Sequence, residues 1–174
     1  MNTPPPVADI DPRALALARE AFGLARQGDA ATLRQMLDAG LPVNLTNEDG
    51  NTLLMLAAYA GQAEAAQLLL SRGADPTRAN DRGQTPLAGA AFKGDVRMVE
   101  LLLAGGAPVD GCGPDGRTAL MYAAMFDRLE VLELLLARGA RAEHQDASGG
   151  TALVAARMMG APRTAARLEA LSGQ

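Results

Sequence analysis

Tryptophan is absent, and only five of the 174 residues are aromatic, two Tyr and three Phe. A core with so little aromatic volume has to be built from Ala and Leu, which suits thin helical layers better than a sheet sandwich. The single cysteine, Cys112, excludes an intramolecular disulfide framework and favours a reducing compartment. The single histidine, His144, together with that lone thiol excludes a Cys/His zinc site, which draws on several such ligands. Lysine occurs once, at Lys93, against 15 arginines; with the abundance of Ala, this reads as the coding bias of a GC-rich bacterial genome. An excess of positive charge is also missing. The net charge of −4 gives no electrostatic case for binding nucleic acid or an anionic membrane surface. The longest apolar stretch, Leu53 to Leu70, is broken by Gln62, Glu64 and Gln67, so it reads as amphipathic helices and not as a membrane span. Met1-Asn2-Thr3-Pro4-Pro5-Pro6 has no basic end followed by an apolar core. No signal peptide is expected, and the expected location is the cytoplasm.

What is present is a period. Asp49-Gly50-Asn51-Thr52-Leu53-Leu54-Met55-Leu56-Ala57-Ala58 returns 33 residues later as Arg82-Gly83-Gln84-Thr85-Pro86-Leu87-Ala88-Gly89-Ala90-Ala91. It returns again as Asp115 to Ala124 and once more as Ser148 to Arg157. Gly50/83/116/149, Thr52/85/118/151, Leu54/87/120/153 and Ala57/90/123/156 keep their slots. A fixed period of this size means stacked supersecondary units. Thr ahead of an apolar run is a helix N-cap, because its hydroxyl accepts from a free backbone N–H. Pro86 follows one such Thr at the first helical position, where its missing N–H costs nothing. A second apolar run follows in each unit, Leu68-Leu69-Leu70, Leu101-Leu102-Leu103 and Leu134-Leu135-Leu136. These runs close at Gly73, Gly106 and Gly139, residues that tolerate the left-handed conformation of a helix end. Each unit is therefore two short antiparallel helices joined to the next by a connection. Asp49-Gly50 and Asp115-Gly116 in those connections are tight-turn dipeptides, which predict hairpin-like fingers.

The pattern resembles the ankyrin repeat, whose signature is Thr-Pro-Leu-His-x-Ala in a 33-residue unit. The resemblance covers nearly everything after residue 10. It implies an all-α ankyrin-type helical solenoid of about five helix–turn–helix units with β-hairpin loops. Residues 1–10 are Pro-rich and expected to form a flexible tail. Residues 11–174 are expected to form one domain, with an N-terminal cap at about 11–46, units at 47–79, 80–112 and 113–145, and a C-terminal cap at 146–174. In that last unit Arg167-Leu168-Glu169 replaces the Leu triplet, and Arg163, Arg167 and Glu169 are expected to face solvent. Two departures stand out. The signature His is replaced by Met55, Ala88, Met121 and Val154; since it supports bonds between neighbouring loops in the family, looser loops are expected. Asp127-Arg128 replaces the Gly-led turn seen at Gly61-Gln62 and Gly94-Asp95; Asp tolerates positive φ, so the turn is expected to survive with some strain.

Sequences that could carry chemistry read better as parts of the repeat. Gly111-Cys112-Gly113-Pro114-Asp115-Gly116 matches the dinucleotide string G-x-G-x-x-G, but the strand and βαβ context that this fingerprint needs are missing. No cofactor is expected. Cys112 and His144 fall on adjacent connections, about 8–10 Å apart for packed helical layers, beyond the ~2.6–3.2 Å reach of a nucleophile–base pair. The acidic residues of the connections, among them Glu48, Asp49, Asp81, Asp110, Asp115, Glu143 and Asp146, are expected to be solvated. No catalytic or metal site is expected.

The informative set lies at the end of each first helix. Tyr59, Phe92, Met125 and Met158 are spaced by 33, and the next slot holds Ala60, Lys93, Phe126 and Met159. The resemblance implies that these slots face the concave side, where family members bind partners together with the loop tips. The residues themselves allow two arrangements, an exposed ladder or side chains folded back to pad the interior. Enrichment of aromatics and Met at interface cores favours the ladder. The expectation is a monomeric, non-enzymatic module binding an unidentified protein partner. Tyr59, Phe92, Met125, Phe126, Met158 and Met159 would act as apolar anchors, and Glu48, Asp49, Asn51, Asp81, Arg82, Gln84, Asp115 and Arg117 would set specificity at the rim. An accessory or inhibitory subunit of an enzyme and a redox-responsive element using Cys112 are the alternatives.

Overall fold

The computed structural model describes residues 11–173; the tail expected over 1–10 lies outside them. Ten helices form five pairs: α1 Pro12–Gln27 with α2 Ala30–Asp38, α3 Leu53–Tyr59 with α4 Ala63–Ser71, α5 Pro86–Lys93 with α6 Val96–Ala104, α7 Ala119–Met125 with α8 Leu129–Ala137, and α9 Ala152–Met159 with α10 Pro162–Ser172. The first helices α1, α3, α5, α7 and α9 pack side by side in one layer, and the second helices form the other. The chain is an all-α solenoid. Most of the helices have only seven to nine residues, too short to be stable alone in water, so each depends on its neighbours.

Threonine starts the repeating first helices as expected. Thr52, Thr85, Thr118 and Thr151 each accept, through Oγ1, from the N–H three residues on, at 3.1–3.4 Å. Thr52, Thr85 and Thr118 do so while buried, so losing the hydroxyl would leave a donor stranded away from water, at about 1–3 kcal/mol. The Ala slot explains how closely the layer packs. Ala57, Ala90, Ala123 and Ala156 are fully buried, and a methyl is the largest group that lets neighbouring axes approach at the short end of the ~8–10 Å range. The second helices end as the glycines predict. Ala74, Ala107 and Ala140 N–H groups donate to Leu69, Leu102 and Leu135 carbonyls across Gly73, Gly106 and Gly139, whose φ values are 83°, 94° and 88°.

Between the two helices of every pair one residue stands at positive φ: Gly28, Gly61, Gly94, Asp127 and Gly160. Asp127, at φ 54°, is the one non-glycine residue in this conformation among the described residues. The strain expected there has a return. The residue before α10 is Ala161, which has no capping group, and Asp127 supplies the cap from the preceding pair. Its Oδ1 accepts from the N–H groups of Arg163 and Thr164 at 3.0 Å, and its Oδ2 pairs with Arg163 Nε at 2.8 Å. The Arg163 side chain, then the Thr164 and Arg163 N–H groups, hold the carboxyl below the usual carboxylate range. Arg128, the other half of the turn, donates from Nε to the Phe92 carbonyl at the end of α5, a place where a cation is favoured by the helix dipole.

The terminal pair differs from expectation in how its charges are used. Arg163, Arg167 and Glu169 are reached by solvent, but each is paired: Arg163 with Asp127, Arg167 with Glu133 at 2.5 Å and Glu169 with Arg157 at 2.7 Å. Two of the three fasten α10 to the preceding pair. Arg157 is exposed in a slot that holds buried Ala58, Ala91 and Ala124 elsewhere.

The fingers also differ. Among the described residues no strand forms; the hairpin character is reduced to the isolated bridges Thr46↔Thr52 and Cys112↔Thr118. The tips are tight turns closed by Asx side chains. Asn47, Asn80 and Asp146 each accept, through Oδ1, from the N–H groups two and four residues on. The third tip has Gly113 in that slot. Neighbouring fingers are tied without the signature His. Asp81 N–H donates to Asp49 O at 3.1 Å, and Asp75 N–H to Asn44 Oδ1 at 2.8 Å. The same pair of bonds recurs as Ala147 N–H to Asp115 O and Arg141 N–H to Asp110 Oδ1. The looseness expected along the whole row is instead confined to the middle seam. There the donor slots are Pro108 and Pro114, which have no N–H, and no hydrogen bond joins the fingers among the described residues. Backbone contact replaces it: a Cβ on Gly113 would lie 2.1 Å from the Gly83 carbonyl oxygen, so only glycine fits.

Two tests follow from this packing. Ala90→Leu should overpack the fully buried α5 interface and lower unfolding stability by about 1–3 kcal/mol; an unchanged denaturation midpoint would remove Ala90 from that interface. At Asp127, the Ala variant should lose a cap (~1 kcal/mol) while keeping a left-handed residue that costs ~1–2 kcal/mol, so Asp127→Gly should be the milder change. Because the folded carboxyl titrates below its ordinary value, the advantage of wild type over Asp127→Asn should be full above about pH 4 and shrink as pH falls through the lower folded value. Equal midpoints for the Ala and Gly variants would rule out the strain component.

Candidate partner-binding surface

Two clefts open where the finger tips meet the first-helix layer. One, of about 520 Å³, has Met55, Leu56, Tyr59, Gly89 and Phe92 on its apolar side and Arg26, Asp49, Asn51, Asn80, Arg82 and Gln84 on its polar side. The other, of about 370 Å³, is lined by Met121, Met125, Val154, Met158 and Met159 with Arg117, Asp146 and Ser148. They are built from the same repeat slots. Met121, Met125, Gly150 and Met158 lie 66 residues, two repeats, after Met55, Tyr59, Gln84 and Phe92. The two clefts are therefore the same feature of the repeat, two units apart.

Exposure sorts the expected anchors. Tyr59, Met158 and Met159 are exposed, at 48%, 81% and 52%. Phe92, Met125 and Phe126 are half-buried, and both Phe side chains pack against the core. The two arrangements left open by the sequence thus coexist. The aromatics form a run that leaves the strict 33-residue spacing: Tyr59 stacks on Phe92 with ring centroids 5.9 Å apart, and Phe126 meets Phe92 edge-on at 4.5 Å. Phe126 can step across because α7 ends at Met125 and Phe126 is its C-cap residue, whereas α5 continues through Lys93. Lys93 Nζ lies 5.1 Å from the Tyr59 ring centre, a cation–π contact.

Of the expected rim residues, Asp49, Asn51, Arg82 and Gln84 line the first cleft and Arg117 the second. Glu48 and Asp81 are exposed but line neither, and the Asp81 carboxylate lies over the backbone of Gly50. Asp115 lines neither cleft but pairs with Arg117 at 3.9 Å. Asp146, on the opposite side of Arg117 at 3.7 Å, is held below its ordinary pKa chiefly by the Ser148 hydroxyl and then by Gly150 N–H. It stays ionised and is unsuited to acid catalysis at neutral pH. Sequence reasoning missed Arg26, Asn80 and the floor residues Met55 and Met121. The floor residues occupy the slot of the lost signature His, and Asn80 the Asx slot of the finger, so both signals were present in the period.

The remaining candidates resolve locally. Cys112 is exposed. His144 donates from Nε2 to the Gly116 carbonyl at 3.0 Å, which leaves Nδ1 to accept from Arg141 Nη2 at 3.4 Å; both ring nitrogens are engaged in holding fingers. The glycine string 111–116 lies in the third finger, where the following helix is capped by Thr118. No group of three or more His, Cys, Asp or Glu among the described residues could hold a metal ion, and none of the described helices is long and apolar enough to cross a membrane.

A family model described as ankyrin repeats matches in three overlapping copies, over residues 22–110, 72–146 and 89–168. The chain belongs to the ankyrin repeat family. It is also 55% identical, over 65 residues, to a Pseudomonas aeruginosa protein named as an ankyrin repeat protein. That match takes in 37% of this chain and 38% of the relative, so the chain spans about two-fifths of the length of that curated protein. Ankyrin repeats generally mediate protein–protein interaction and are typically non-enzymatic.

The exposed thiol gives a direct check on finger geometry. Cys112 should react with a thiol reagent in the native protein at a rate close to that of the unfolded chain. Protection that persists until denaturant is added would mean that the third finger is covered.

Proposed function

We propose that this ankyrin repeat chain is a non-enzymatic module that binds a protein partner along the groove between its first-helix layer and its finger tips. The observation that carries the reading is the exposure of Tyr59, Met158 and Met159 beside half-buried Phe92, Met125 and Phe126 in two adjacent repeat slots. Large apolar side chains left in water along a continuous surface usually mark an interaction site, and aromatics and Met are favoured at interface centres. The polar margin of Asn51, Arg82, Gln84 and Arg117 supplies orientation, with Glu48, Asp49, Asp81 and Asp115 at or near the finger tips. The partner is a protein and not nucleic acid or a membrane, in keeping with the net charge of −4. The module acts as a monomer, and its single unpaired thiol fits a reducing, cytoplasmic setting. An accessory or inhibitory subunit would be the same act of binding with an enzyme as partner.

Affinity capture from the native source with the full chain as bait, followed by binding measurements with the purified partner, tests the reading. Tyr59→Ala and Met158→Ala should each weaken binding while leaving the unfolding midpoint nearly unchanged, since both side chains are largely exposed. Phe92→Ala and Phe126→Ala should weaken it by about 2 kcal/mol or more if they are hot spots. They should also cost some stability, though less than the ~2–5 kcal/mol expected for buried Leu102→Ala. Full affinity in all four groove variants would place the partner elsewhere.

A further inference from the structure

The two ends of the groove differ in charge, and that difference names a kind of partner. Around the first cleft lie three cations, Arg26, Arg82 and Lys93; Arg26 and Arg82 line it, and Lys93 sits over its Tyr59. None of the three is in an ion pair among the described residues. Asp49 is the single carboxylate lining the cleft, and Asp81 is turned away across Gly50. In the second cleft Arg117 is bracketed by Asp115 and Asp146, which leaves the methionine wall with no free cation. A chain of net charge −4 therefore keeps unpaired positive charge at one end of its groove.

Gly89 sets how the apolar side of the first cleft is arranged. It lies inside α5, where glycine weakens a helix relative to alanine. Neither a turn nor a close approach demands it: an added Cβ would meet only Tyr59 Cδ2, at an ordinary 3.6 Å. The same slot holds Leu56 in α3 and Tyr122 in α7. With glycine there, the edge of the Tyr59 ring lies against α5 while the ring stacks on Phe92. The walls carry side-chain amides, Asn51, Asn80 and Gln84, with Asn80 Nδ2 donating to Asn51 Oδ1 at 2.9 Å. Amides suit an extended main chain because they can both donate and accept.

We propose, building on the groove reading above, that the first cleft takes an extended segment of a partner protein in which an apolar side chain is flanked by carboxylates. The apolar side chain packs on the exposed side of the Tyr59–Phe92 stack, and the carboxylates meet Arg26, Arg82 and Lys93. The segment then runs toward the methionine-lined cleft with apolar residues, so its acidic end is fixed over the N-terminal half of the array.

Random twelve-residue peptides displayed on phage and selected on the full chain test this. The expected result is enrichment of Asp or Glu beside Leu, Ile or Phe. Binding of the selected peptides should fall tenfold or more in Arg26→Glu/Arg82→Glu and in Gly89→Leu, and should weaken as NaCl is raised from 50 to 500 mM. The variants' unfolding midpoints identify any that fail to fold, and Arg82→Glu alone, at an exposed finger tip, gives a second reading of charge. Selected peptides that lose binding in Phe92→Ala but show neutral or basic sequences, or ignore the charge reversals, would overturn the proposed chemistry and leave the groove reading standing. Peptides indifferent to both Tyr59→Ala and Phe92→Ala would overturn both. No enrichment over a blank surface would overturn occupancy by a linear segment, with the captured partner still testing the groove.

Discussion

The whole array depends on how closely the first helices approach one another. Eight of the ten described helices have only seven to nine residues and are marginal in isolation. Stacking through Ala57, Ala90, Ala123 and Ala156 gives the first helices neighbours within van der Waals reach, and the caps Thr52, Thr85 and Thr118 are buried with them. With a methyl at the contact, the volume of the core has to come from Leu54, Leu87, Leu120 and the second-helix leucines. That is how a chain with five aromatic residues builds a core, while three of the five, Tyr59, Phe92 and Phe126, contact one another at the ends of the first helices.

The fingers obey a looser constraint. Three of the four tips are closed by an Asx side chain in the same slot, and neighbouring fingers are joined by a pair of bonds from backbone N–H groups wherever the donor slots carry an N–H. Pro108 and Pro114 remove those donors at one seam, so fingers one and two are tied, and so are fingers three and four, but the two pairs are not tied to each other by hydrogen bonds among the described residues. The Gly113–Gly83 backbone contact and the helices beneath hold that seam. Asp127 shows the same economy elsewhere. A side chain placed in a glycine's conformation is tolerated because its carboxylate caps a helix that has no cap of its own.

Much of this was legible because the period repeats local chemistry. Thr52 and Thr85 could be read as caps, Gly73 and Gly106 as helix ends, and Asp127 as a strained turn, since each reading depends on a residue and its near neighbours along the chain. What stayed illegible depends on which repeat lies alongside. Arg163 and Arg167 read as solvent-facing charges, yet Asp127 and Glu133, more than 30 residues earlier, are their partners. Arg26 gave no signal in the sequence because its place in the cleft is set by packing of α1 on α3.

The sequence by itself determined the helix pairs, their period and their caps, because all of these follow from local hydrogen bonding and from the size of one side chain per turn. Only the tertiary structure decided which anchors are exposed and which cations are free. Tyr59 and Phe92 occupy the same slot, and their different burial comes from what packs beside each one. Arg82 and Arg117 stand near equivalent tips, but two carboxylates flank Arg117 and none lies within ion-pair distance of Arg82. Burial and charge pairing are properties of neighbours across the stack, and a repeat period does not encode which neighbour carries the opposite charge.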